Sequence, residues 1–122
     1  MTVITLPPDW YDYVVCDGVD TSRPGIYEWT IEGAGSYIGR YSEISRPTKA
    51  YGRHVRNLLN NVQAYRPSNS NGYRRIHREL ERAHREGRRI TLTILENPEC
   101  ERLNEREREL IAERGTLNGR VK

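Results

Sequence analysis

Gly25-Ile26-Tyr27-Glu28-Trp29-Thr30-Ile31-Glu32-Gly33-Ala34-Gly35-Ser36-Tyr37-Ile38-Gly39 places the triplets Gly-Ile-Tyr and Tyr-Ile-Gly on two short strand-like runs joined by a glycine-rich turn. Tyr27, Trp29 and Ile31 alternate with Ile26, Glu28 and Thr30, the pattern of a half-buried strand. Glu32-Gly33-Ala34-Gly35 offers the left-handed backbone positions that a hairpin turn requires. Tyr27 and Tyr37 then sit on facing strands, where an aromatic pair stabilises a sheet and can also line a site.

Outward from the hairpin the chain reads as alternating elements. Residues 1–23 form an N-terminal extension of the same domain, with a 10–15 stretch that fits either strand or short helix, and residues 24–122 form the main body. A polar loop from Arg40 leads to a helix over about 48–62, with Thr48 as N-cap and Tyr51, Val55, Leu58 and Val62 at helical spacing. A second helix over about 73–85 carries Ile76, Leu80 and Ala83 on one face and stops at Gly87. Residues 89–96 alternate as a third strand, ended by Asn97-Pro98, and a last helix over about 99–114 closes at Gly115.

The two triplets at hairpin spacing, followed by helix, helix, strand and helix, resemble the GIY-YIG nuclease family over about residues 24–119. The resemblance implies an α+β sandwich, a three-stranded antiparallel sheet flanked by helices. It also implies a metal-dependent endonuclease that hydrolyses phosphodiester bonds in DNA, with both tyrosines lining the site.

Composition is compatible with that expectation. The 122 residues fit one domain with a small core, and the absence of Phe leaves eight Tyr and two Trp to fill it. No apolar run reaches the length of a membrane span and the start lacks a signal pattern, so the expected setting is the cytoplasm, as a soluble protein. Cys16 and Cys100 lie far apart without metal-ligand spacing and are expected to be free thiols. Net charge is −3 over residues 1–51, +7 over 52–92 and −1 over 93–122. The basic middle third is carried by arginine, which grips phosphate bidentately. Arg40, Arg46, Arg56, Arg74, Arg75, Arg78, Arg82 and Arg85 are therefore the expected nucleic-acid contacts, with the last five making much of the DNA-facing surface.

Glu107 is the sharpest candidate for chemistry. With Leu103 as origin, Leu110 falls at about 340°, Ile111 at about 80° and Glu107 at about 40°, inside the apolar stripe, whereas Glu105 and Glu109 point away. A carboxylate on that stripe needs a cation or an arginine, because an uncompensated buried charge is costly. The family carries its metal-binding glutamate one turn before an apolar residue on this helix, which Glu107-Arg108-Glu109-Leu110-Ile111 matches. By the same resemblance Glu107 would hold Mg²⁺ or Mn²⁺, and Tyr37, supported by Tyr27, would orient or deprotonate the attacking water.

The family's catalytic arginine lies on the first helix, commonly four residues before a histidine. The residue four before His54 is Ala50, so the register is not fixed there; Arg53 is the first choice, with Arg46 and Arg56 behind it. His54 would assist proton transfer or contact substrate, and Asn118 resembles the late asparagine that holds the site together. His54, His77 and His84 lack the spacing of a zinc set. Two rival readings stand beside the nuclease: a non-catalytic nucleic-acid-binding module on the same scaffold, and a small protein-binding α+β domain. With no added targeting domain in the sequence, the readings left open are cutting with little sequence preference, action on a DNA structure, a homodimer, or dependence on a partner protein.

Overall fold

The computed structural model describes residues 4–60 and 74–118. The expected helix end at Val62, the helix start at Tyr73 and Gly119 lie outside that range. Strands β1 (Asp12–Val15), β2 (Gly25–Ile31), β3 (Gly35–Tyr41) and β4 (Ile90–Glu96) form one sheet in the order β1-β4-β2-β3. The hairpin is present as read: β2 and β3 are antiparallel, with Tyr27 opposite Gly39 and Trp29 opposite Tyr37. Its turn uses Gly33 at φ 79° and Gly35 at φ 135°, angles that side chains rarely adopt.

Two expectations about the sheet are corrected. It has four strands rather than three and is mixed rather than antiparallel, because β1 pairs in parallel with β4, Asp12 facing Thr91 and Val15 facing Ile94. The stretch left open between strand and helix is thus the strand that completes the edge. Trp10, just before it, stacks on Trp29 at 5.5 Å and ties the N-terminal segment to the core.

The second correction concerns β2, which is buried on both faces rather than half-buried. Helices α1 (Tyr51–Leu59) and α2 (Arg75–Glu86) cover one face, where Tyr27, Trp29 and Ile31 meet Tyr51, Val55, Ile76, Leu80 and Leu92. Helix α3 (Leu103–Arg114) covers the other, where Ile26 and Ile38 meet Leu110. Glu28 points to the α3 side and is almost fully enclosed, its carboxylate accepting two hydrogen bonds from Arg114, each 2.9 Å long.

The first helix does not begin at a Thr48 cap. A single π-helical turn over residues 46–50, with Pro47 at its start, precedes α1, and the Thr48 hydroxyl donates to the Ile44 carbonyl at 2.7 Å instead. Helix α2 ends as expected at Gly87, whose φ of 72° permits the left-handed cap. A short 3₁₀ turn, Cys100–Arg102, leads into α3.

Candidate active site

A polar cleft of about 320 Å³ opens beside β3, walled by Tyr27, Tyr37, Arg40, Arg46, Arg74 and Glu107. Four separate parts of the chain supply it: the hairpin, the π-helical turn, the residue before α2, and α3. The hairpin register explains why Tyr27 reaches it. A Cβ on Gly39 would run into the Tyr27 ring, so only glycine lets that ring lie across the neighbouring strand.

The tyrosines form a hydrogen-bonded group around one guanidinium. Arg74 donates through Nη1 to Tyr37 Oη at 2.9 Å and through Nη2 to Tyr51 Oη at 3.2 Å, and the Tyr51 and Tyr27 hydroxyls are 2.5 Å apart. Burial pushes the Tyr37 hydroxyl up to about 12, despite Arg74, and pushes Tyr27 higher still. With the cleft as described both are therefore protonated at physiological pH, placed to orient a water or a phosphate oxygen.

Glu107 faces the cleft as its helix position predicts. Its side chain is 22% exposed, against 55% for Glu105 and 47% for Glu109, and it lies 3.4 Å from Arg40 Nε. Burial raises its carboxyl above the ordinary range while Arg40 draws it back. Glu105 and Glu109 are instead engaged by Arg102 and Arg106 on the outer face. Among the described residues no three of His, Cys, Asp and Glu converge. A single hard carboxylate fits magnesium or manganese, which keep most of their water and take remaining ligands from substrate phosphate.

The arginine expected at the centre is elsewhere. Arg53 is exposed on the outer side of α1, against a hollow shared with Pro7, Pro8 and Trp10, and it does not line the cleft. Arg56 lies there too, while the runner-up Arg46 is in the cleft. Arg46 opens the π-helical turn that precedes α1, next to the end of β3, whereas Arg53 and Arg56 lie within α1 itself. Arg74 was expected as a general DNA contact and is instead the guanidinium at the cleft's heart. Arg75, Arg78 and Arg82 are exposed on α2, and Arg85 pairs with Glu81.

His54 is not among the residues that line the cleft. It stacks on His77, ring centroids 4.4 Å apart. His77 is buried, and its Nδ1 accepts the Arg74 backbone N–H at 3.1 Å, which fixes the main chain carrying the central guanidinium. Asn118 does what the late asparagine was expected to do geometrically. Its Oδ1 accepts from Ile38 N–H and its Nδ2 donates to Ile38 O, both at 2.7 Å, so the segment after α3 clips onto β3 between Tyr37 and Gly39.

Burial, His54, and the charges of Arg74, Arg46 and Arg78 lower the His77 imidazole to about 3, and His54 is lowered too. In the unfolded chain His77 takes a proton below about 6.5. Between those values the unfolded state binds the extra proton, so stability falls as pH falls, by about 1.4 kcal/mol per unit for this one group. Urea unfolding midpoints measured from pH 7 to pH 4 should drop steeply, and His77→Gln should flatten that slope. An unchanged slope would show that His77 takes a proton without unfolding.

The chain matches no family model, no curated protein and no solved structure.

Proposed function

We propose that this chain is a metal-dependent endonuclease that hydrolyses phosphodiester bonds in DNA, of the GIY-YIG type its hairpin resembles. The observation that carries the reading is the convergence of Tyr27, Tyr37, Arg40, Arg46 and Arg74 with one inward carboxylate, Glu107, around a single polar cleft. Cations line such a cleft where negative charge is bound, and the one carboxylate among them would repel a phosphate unless a cation lay between.

Glu107 would hold Mg²⁺ or Mn²⁺, which when bound supplies Lewis-acid polarisation of the phosphate and stabilises the leaving oxygen. Arg40, Arg46 and Arg74 offset the charge that builds on the phosphoryl oxygens as water attacks phosphorus. Arg74 donates to Tyr37 Oη and so holds this hydroxyl at the cleft, where it would orient water or substrate. Tyr27 sits behind it, bonded to Tyr51, and keeps the phenol group in place. Asn118 holds β3, and with it Tyr37, in register.

Supercoiled plasmid incubated with Mg²⁺, Mn²⁺, Ca²⁺ or chelator tests the reading directly. Nicked or linear product with Mg²⁺ or Mn²⁺ alone is the expected result, and Tyr37→Phe should slow it about a hundredfold, the order of effect of one lost donor at a reacting centre. If supercoiled, linear and branched DNA all stay intact with every cation, the reading fails for DNA.

A further inference from the structure

The helices of this fold differ in how many acids stand beside their cations. On α3 and the turn before it most arginines are matched, Arg102 to Glu105, Arg106 to Glu96 and Glu109, Arg114 to Glu28, while Arg108 makes no ion pair among the described residues. On α2, residues 75–86 hold four arginines and three glutamates, and Arg85 is tied to Glu81. Residues 46–60 hold Arg46, Lys49, Arg53 and Arg56 and no carboxylate at all. All four are exposed, and none makes an ion pair among the described residues.

Their placement is directional. Arg46 stands in the cleft. Lys49, Arg53 and Arg56 follow at spacings of four and three, which puts them on one helix face, and all three line a single shallow hollow of about 450 Å³ whose other wall is Pro7, Pro8, Trp10 and Tyr11. A row of unneutralised cations that starts at a phosphate-accepting cleft and continues along one helix fits a regularly charged polyanion.

We propose that Lys49, Arg53 and Arg56 form a backbone track for the DNA that leaves the cleft past Arg46, so that α1 rather than α2 carries the flanking duplex. The inference rests on the nuclease reading for its ligand. Each track residue contacts phosphate and reads no base, which makes its contribution independent of sequence and dependent on salt.

The test is binding of a short duplex oligonucleotide, followed by fluorescence anisotropy over a series of salt concentrations, for the wild type and two triple variants. Lys49→Gln with Arg53→Gln and Arg56→Gln should flatten the slope of log affinity against log salt by about 2.7, three phosphate contacts at ~0.9 each. Arg75→Gln with Arg82→Gln and Arg85→Gln should change it by less than about 1. Both should melt with the wild type, since every side chain changed is exposed. At saturating plasmid the α1 variant should keep its cleavage rate and lose only KM. Equal slopes for the α1 variant and wild type, or a larger change from the α2 variant, would overturn the track while leaving plasmid cleavage, and hence the nuclease reading, untouched. Displacement of the duplex by poly-glutamate at matched charge would also overturn it, by marking an acidic protein as the occupant. A wild type that neither binds duplex nor cuts plasmid would remove both.

Discussion

Glu107→Gln is expected to reduce DNA cleavage about a thousandfold while duplex affinity and melting temperature stay close to wild type. Glutamine preserves size and hydrogen bonding but removes the charge that a hard cation requires, and the loss of one group that stabilises transition-state charge is of this order. The contrast with neighbouring acids makes the result specific. Glu105→Gln and Glu109→Gln change side chains on the outer face that pair with Arg102 and Arg106 and do not line the cleft, so both should stay active. Equal activity in all three variants would show that the inward carboxylate has no part in the chemistry. Loss of folding in Glu107→Gln alone would assign it to the Arg40 ion pair, and Arg40→Gln would then reproduce the defect. The Arg40 contact is long and half-exposed, which is why stability is expected to survive.

Arg114→Ala is expected to cause the largest loss of stability, about 3 kcal/mol. Its guanidinium closes both oxygens of Glu28, whose side chain is 5% exposed on the central strand. Removing the arginine leaves that carboxylate enclosed and unpaired. The low end of the usual range applies because Arg114 itself is 45% exposed and water can partly replace it. Replacing both partners by leucine should restore most of the loss, since apolar side chains of similar volume often substitute for a buried pair without cost. Thermal melts of the two variants decide the matter: an Arg114→Ala protein that melts with the wild type would mean that water reaches Glu28.

What could be read in the sequence was local. The hairpin, α2 with its Gly87 stop, β4 and α3 each declare themselves by periodicity and punctuation within a dozen or so residues, and the inward turn of Glu107 follows from helical angle alone. What could not be read depends on distant partners. The Asp12–Val15 strand is exposed throughout and becomes a strand only because β4 offers a free edge, so no alternation marks it. The buried Glu28 looked like the outward member of an alternating pair because nothing near it announces Arg114, 86 residues away. Nothing in the sequence marks which face of α1 turns from the cleft, so Arg53 and Arg46 cannot be ranked without the packing of the N-terminal segment on that helix. Arg74 does carry one local signal, a histidine three residues on, placed to accept the backbone N–H at a helix start.

The cleft also has an order of assembly. Tyr27, Tyr37, Arg40, Arg46 and Arg74 all precede Glu107 in the chain, and the strand carrying Tyr37 is clipped by Asn118 later still. A chain emerging from the ribosome therefore possesses the cleft's tyrosines and arginines well before its carboxylate, and the pairing of α3 with β3 closes a separation of about 70 residues, a slow kind of contact to make. On the proposed chemistry, a copy without α3 lacks the cleft's carboxylate, and it also leaves Glu28, Ile26 and Ile38 without Arg114 and Leu110. If that chemistry holds, cutting waits until α3 has packed against β3.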